Sequence, residues 1–186
     1  MSRIIGGAGK GRRLKAPAGE QTRPTGARVR QTLFDILAPM IPGCRFLDAF
    51  AGGGGVGLEA LSRGARRVVL IDEARAATEA INANLALVPG AAAATVFRQD
   101  ARVAVTALAD RGERFDVVFL DPPYASDLYE AMLPLAERVL AEDGVVVAEH
   151  FHKRALPARM GGLVNARSVR VGDHRLTFYR RPEERG

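Results

Sequence analysis

The stretch "LDAFAGGGGVGLEAL", residues 47–61, decides the fold. Gly52, Gly54 and Gly57 are spaced G-x-G-x-x-G between an apolar run ending at Asp48 and a segment of helical character. Glycines at such a junction let the backbone turn tightly and approach a ligand at the helix N-terminus. Alone, the spacing fits several nucleotide-type ligands.

Outward from this loop the pattern alternates. "CRFLDAF" (44–50) reads as a buried strand and "VGLEALSRG" (56–64) as a helix closed by Gly64. "RVVLI", "ATVFR", "FDVVFLD" and "VVVAEH" are further strands. Between them lie three helices: 73–88, with Ala77, Ile81, Leu85 and Val88 aligned; 101–112; and 126–144. Strands alternating with helices of this length predict an α/β fold, a Rossmann-like sheet with helices on both faces. "ARSVRV" and "HRLTFYRR" flank Gly172-Asp173, a two-residue hairpin signal, so the mostly parallel sheet is expected to end in an antiparallel hairpin. Upstream, Thr25 is a candidate N-cap for a helix carrying Val29, Leu33, Ile36, Leu37 and Met40, ended by Pro42-Gly43. Residues 1–24 read as an arm with one short hairpin. The expected organisation is a basic N-terminal extension and first helix over 1–43, then one catalytic domain over 44–186.

The net charge of +6 is localised. Residues 1–43 hold eight cations, Arg3, Lys10, Arg12, Arg13, Lys15, Arg23, Arg28 and Arg30, against Glu20 and Asp35. The remainder is balanced. A basic arm on a neutral body is the footprint of a polyanion partner, and these eight residues are the candidate nucleic-acid contacts. The one cysteine, Cys44, cannot form an internal disulfide, which fits a reducing compartment. "MSRIIGGAGKGRRLK" lacks the apolar core of a secretory signal, and "LALVPGAAAATVF" is too short to span a bilayer. The expectation is a cytoplasmic protein without membrane contact.

Asp72 closes the second strand of the alternating region, where an acid accepts hydrogen bonds from ribose hydroxyls. The glycines and Asp72 fit NAD and S-adenosylmethionine equally. Asp48, four residues before Gly52, separates them. A pyrophosphate would be repelled by a carboxylate there, whereas the ammonium and sulfonium of S-adenosylmethionine would be attracted. At ~4 Å and an effective dielectric near ~20, such a pairing contributes roughly 4 kcal/mol before desolvation. Capping of backbone groups is the plainer role for Asp48, and helix N-capping for Asp72 and Asp100. Asp100, ending the third strand, is placed to meet an adenine amino group.

"FLDPPYASD" (119–127) puts Asp121, Pro122, Pro123 and Tyr124 at the end of the fourth strand. An exocyclic amine of a nucleobase is a weak nucleophile because its lone pair is delocalised into the ring. A fixed carboxylate and a fixed carbonyl, each accepting one N–H, favour a more pyramidal nitrogen aimed at a methyl donor. Consecutive prolines stiffen that frame, Pro122 bringing no competing N–H. Tyr124 offers a stacking face worth ~1–3 kcal/mol, and Asp121 can take the released proton.

These two blocks together resemble the class I methyltransferases with a [DN]-P-P-[FYW] amino-methylating motif. "RIIGGAGKGRRLKAP", "TRPTGARVRQTLFDIL" and "LTFYRR" narrow the likeness to the RsmD family, bacterial methyltransferases for guanine N2 of 16S rRNA. The resemblance runs from Arg3 to Arg181. It implies a class I methyltransferase sheet and S-adenosyl-L-methionine as cofactor, held at Asp48, Phe50, Gly52, Gly54 and Asp72. It implies catalysis by Asp121, Pro122, Pro123 and Tyr124, and 16S rRNA, within an assembling 30S subunit, as partner. Gly53 and Gly55 stand where the family usually has Ser and Ala, which predicts a floppier loop. Asp72 stands where Glu is frequent.

C5-pyrimidine methylation needs a cysteine beside the fourth-strand loop, and Cys44 precedes the first strand. Lysine-dependent ribose methylation needs a poised lysine, and Lys10, Lys15 and Lys153 are not expected at a strand's carboxyl edge. His150 and His152 in "EHFHK" lack a third ligand of recognisable spacing, so no metal is expected, and His174 reads as a surface residue. Two rivals stay open: a DNA adenine-N6 methyltransferase, disfavoured by the lack of a target-recognition domain, and a ribosome-assembly or RNA-binding protein that has lost catalysis.

Overall fold

The computed structural model describes residues 2–18, 26–123 and 127–182; Arg23, Thr25 and Tyr124 lie outside them. A small hairpin, β1 (Ser2–Arg3) with β2 (Arg13–Leu14), precedes α1 (Ala27–Leu37). The alternating region follows: β3 (Arg45–Asp48), α2 (Gly55–Ser62), β4 (Arg67–Asp72), α3 (Arg75–Leu85), β5 (Ala94–Arg98), α4 (Ala101–Asp110), β6 (Phe115–Leu120), α5 (Leu128–Arg138) and β7 (Leu140–Phe151). Three strands close the chain, β8 (Arg159–Met160), β9 (Leu163–Val171) and β10 (His174–Arg180).

The main sheet has the order β5-β4-β3-β6-β7-β10-β9-β8. Its first five strands are parallel, and β10 lies antiparallel between β7 and β9. The chain lays β4 and β5 on one side of β3, then returns to place β6 on the other. Carboxyl ends of strands flanking such a switch point form the ligand crevice of open α/β sheets. Here those ends carry Asp48 and Asp121. The Rossmann-like sheet with its C-terminal hairpin is as the sequence leads one to expect.

Strand residues alternate between two cores because successive side chains point to opposite faces. Phe46, Val68, Leu70, Val117, Phe119, Val145 and Val147 pack with α1, α2 and α3. Leu47, Val69, Ile71, Val118, Leu120, Val146 and Ala148 pack with α4 and α5. The apolar stripe of α1 is Val29, Leu33, Phe34 and Leu37, and Phe34 stacks on Phe46 with ring centroids 6.2 Å apart. The N-terminal hairpin joins this core through Ile4 and Leu14, which are 2% and 5% exposed, so it is anchored rather than loose.

The helix expected over 126–144 stops at Arg138. Leu140 pairs with Phe115, and Val145 resumes pairing at Val117 after a register shift. Burying Leu140 and joining the sheet outweighs the good intrinsic helical propensity of Leu-Ala-Glu, which amounts to only tenths of a kcal/mol per residue. Among the described residues, no helix is long and apolar enough to cross a membrane.

Candidate active site at the carboxyl rim

The glycine loop joins β3 to α2. Gly52 and Gly54 take φ of +52° and +82°, in the left-handed region that favours glycine. A Cβ on Gly57 would stand 2.8 Å from Leu70 Cδ2 and 3.2 Å from Val68 Cγ1, so close packing of α2 on β4 excludes a side chain there. Gly53 and Gly55 face the N-terminal segment: their Cβ positions lie 3.3 Å from Pro17 Cδ and 3.1 Å from Arg30 Nη1. The loop is held at several points. Gly52 N–H donates to Asp72 Oδ2 at 2.8 Å, Gly54 N–H to the Ala51 carbonyl at 2.7 Å, and Asn84 Nδ2 to the Gly53 carbonyl at 3.0 Å.

Asp48 is 1% exposed. Its Oδ2 accepts from the Gly57 N–H at 2.9 Å, which caps the first turn of α2. Its Oδ1 is buried with no hydrogen-bond partner among the described residues. Burial pushes the Asp48 carboxyl up to about 7; the Gly57 and Phe50 N–H groups oppose this, and nearby Asp121 and Asp72 add to it. A buried, half-satisfied carboxylate beside a glycine loop is costly unless a cation meets it. One oxygen is thus spent on capping α2, and the other is left available to a cation. These donors and acceptors fit the ammonium-bearing end of S-adenosylmethionine better than a pyrophosphate.

Asp72 is half-buried at the end of β4 and also accepts from the Ala74 N–H at 2.9 Å, so it braces both the glycine loop and the entry to α3. Phe50 is half-buried against the core shared with α4 and α5. Asp100 is the N-cap of α4, accepting from the N–H groups of Arg102 and Val103. The Arg102 guanidinium holds its carboxyl below the usual range. Asp121 is half-buried and Pro122 buried, directly after β6. β5, β4, β3 and β6 are consecutive in the sheet, so Asp100, Asp72, Asp48 and Asp121 stand in a row along one rim. A hollow of about 470 Å³ on the flank between α3 and β5 lies off this rim.

The basic segment divides. Arg3, Lys10, Arg12, Arg13, Lys15 and Arg28 are exposed. Arg30 corrects the expectation of a phosphate contact: it is 1% exposed, donating to the Ser2 hydroxyl at 2.9 Å and the Arg3 carbonyl at 2.6 Å, with Glu59 at 3.7 Å. Burial lowers its pKa, and Glu59 works against that. Glu59, fully buried on α2, accepts from the N–H groups of Ile5 and Gly6 at 2.7 Å and pairs with Arg63 at 2.7 Å. Arg30 and Glu59 thus fasten the hairpin to the body. Glu59 and Asn84 were invisible as anchors in the sequence, although Asn84, three residues after Ile81, does fall on the apolar face of its helix.

Cys44 lies at the opposite, amino end of β3, and burial pushes its thiol up to about 12, so it is no nucleophile. His174 departs from the surface expectation: its side chain is 16% exposed and meets Glu149 at 2.8 Å. Lys153 also departs, because it lies two residues past β7 at the carboxyl rim.

The chain matches the family model described as "Conserved hypothetical protein 95" over residues 2–180. It is 40% identical to the Bacillus subtilis protein YlbH over 181 residues, 96% of this chain and 98% of that one. It is 40% identical over 157 residues to the Ribosomal RNA small subunit methyltransferase D of Escherichia coli K12, covering 83% of this chain and 77% of the relative. The solved structure of a hypothetical protein of Thermus thermophilus superposes with a TM-score of 0.83 at 34% identity, over 96% of this chain and 98% of that one. With a rim of this geometry and likeness over nearly its whole length, the chain belongs to the RsmD family.

Proposed function

We propose that the protein transfers the methyl group of S-adenosylmethionine to the exocyclic N2 of a guanine in 16S rRNA. The observation that carries this reading is the buried, unpartnered Oδ1 of Asp48 beside the left-handed glycines, one strand from Asp121. When bound, S-adenosylmethionine supplies an electrophilic methyl on a sulfonium. Asp48 would meet its positive end, Asp72 the ribose hydroxyls and Asp100 the adenine amine, while Phe50 walls the pocket. Gly52 and Gly54 let the backbone come close.

The exposed cations Arg3, Lys10, Arg12, Arg13, Lys15 and Arg28 grip phosphates and set the RNA's position. Arg23 belongs to the same run in the sequence. The guanine is turned out of its stack, and Tyr124 stacks on it. Asp121 and the Pro122 carbonyl each accept one N–H of N2, freeing the lone pair. A nitrogen–carbon bond forms as the carbon–sulfur bond breaks, and Asp121 takes the proton the nitrogen then sheds. An assembling 30S subunit in the cytoplasm is the setting we favour; the single buried, unpaired cysteine is compatible with it.

Incubation with isotope-labelled S-adenosylmethionine and unmodified 16S rRNA or 30S particles tests the reading, with mapping of the modified base. One labelled N2-methylguanine is expected. Label on adenine N6, or none with either substrate, would refute it.

A further inference from the structure

We propose that the rim carries a second, anion-binding site beyond the reactive acid, built for a phosphodiester of the RNA strand entering the active site. This rests on the methyl-transfer reading above.

β7 runs parallel to β6, and Leu120 pairs with Ala148, so β7 ends at the rim where Asp121 follows β6. A hollow of about 250 Å³ opens there, its walls including His150, Lys153, Arg154, Ser168, Arg175 and Thr177. Among the described residues, no carboxylate lines it. Its volume falls below the ~300–1,000 Å³ usual for small-molecule sites, which suits one group of an extended ligand.

The sheet builds this lining. Arg175 lies opposite His150 and Thr177 two residues further on, so the three share a face; Ser168 lies opposite Thr177 on β9. His150, 1% exposed, has Nε2 2.8 Å from Thr177 Oγ1, which is 3.0 Å from Ser168 Oγ. His150 Nδ1 donates to the Phe151 carbonyl at 3.1 Å, so its Nε2 accepts the Thr177 hydroxyl and Thr177 accepts from Ser168, which sets a fixed polar floor under the hollow.

The charges sit above that floor. Among the described residues, neither Lys153 nor Arg175 pairs with an acid. Arg154 is oriented instead: it meets Glu130 at 3.1 Å and lies 4.8 Å over the Tyr129 ring, both on α5. Two cations without an acid partner among the described residues, beside a guanidinium held in place at the wall and over a fixed polar floor, form a receptor for an oxyanion. The hollow lies on the β7 side of Asp121, whereas the glycine loop lies on the β3 side. A phosphate seated here would belong to a nucleotide flanking the target base, not to the methyl donor.

The test uses Lys153→Ala and Arg175→Ala, singly and together, in the full chain, with thermal unfolding to confirm an intact fold. Arg111→Ala, exposed at the end of α4 on the opposite rim, is the control. With unmodified 16S rRNA as probe, each single variant should lower the slope of log K against log salt by ~0.7. KM for RNA should rise while affinity for S-adenosylmethionine stays at the wild-type value, and Arg111→Ala should change neither. Arg175→Lys should restore the slope, since it keeps the charge. Wild-type slopes in both single variants and the double variant would overturn the proposal, even with methylation intact. Falling slopes without methylation by the wild type would sink the functional reading and leave the anion site standing. An unchanged RNA slope, with millimolar inorganic phosphate raising Tm of the wild type but not of the double variant, would mark a small-anion pocket and overturn the phosphodiester assignment.

Discussion

Asn84 clasps Lys15 by both of its backbone groups. Its Oδ1 accepts the Lys15 N–H at 2.7 Å, and its Nδ2 donates to the Lys15 carbonyl at 2.9 Å. The same Nδ2 reaches the Gly53 carbonyl at 3.0 Å. One buried carboxamide on α3 therefore ties the basic segment to the glycine loop. Asn84→Ala removes three hydrogen bonds of about 0.5–1.5 kcal/mol each, so a loss of about 2–4 kcal/mol in denaturant unfolding is expected. Calorimetric titration should also show weaker binding of S-adenosylmethionine, because the loop loses a brace.

Arg30 and Lys10 carry the same formal charge and should behave oppositely. Arg30→Ala leaves Glu59 short of a partner inside the protein and should cost about 3–5 kcal/mol of stability. Lys10→Ala, on the exposed hairpin, should stay within about 0.5 kcal/mol. Urea melts of the two variants check this.

The exposed cations of the hairpin should show in salt dependence instead. Ile4 and Leu14 belong to the core, so deleting the segment would unfold part of the protein. Replacing Lys10, Arg12 and Arg13 together by Ala is the cleaner test. The slope of log K for RNA against log salt should fall by about 2 to 3, at ~0.7 to 0.9 per lost phosphate contact. An unchanged slope would mean that these residues do not contact the RNA backbone.

Asp48 gives a pH signature. Its carboxyl lies near 7 in the folded chain, above its ordinary 3.8. Between those values the folded state holds a proton that the unfolded state has released. The group's contribution to stability is thus full below about 4 and is lost as pH rises to about 7. A bound cation favours the ionised form, so S-adenosylmethionine should bind more tightly as pH rises from 6 to 8. Binding near pH 7 should release a fraction of a proton, measurable by calorimetry in buffers of different ionisation enthalpy. Asp48→Asn should abolish the proton release and weaken binding by roughly 10- to 100-fold, the ~1.5–3 kcal/mol of a charged hydrogen bond.

Much of this was legible because it depends on spacing. Gly52, Gly54 and Gly57 announce a turn and a close approach, and the structure uses the first two for left-handed backbone and the third for packing on Leu70. Strand-ending acids announce a rim because strand periodicity fixes where each strand stops. What depends on tertiary partners was harder to see. Arg30 reads as one more cation of a basic arm, yet it adjoins Val29 and precedes Leu33 and Phe34 by helical spacing, which puts it on the buried stripe. Its partner Glu59 lies in a helix buried on every side. The start of β7 at Leu140 was hidden because Leu-Ala-Glu reads as helix until Phe115 is seen beside it.

The most direct measurement is single-turnover methyl transfer by Asp121→Ala, with S-adenosylmethionine affinity determined on the same preparation. Cofactor affinity within about threefold of wild type, with transfer slowed by at least ~10²–10⁴-fold, is the expected result. Wild-type transfer by this variant, or a loss explained wholly by failure to bind the methyl donor, would contradict the role assigned to the acid at the end of β6.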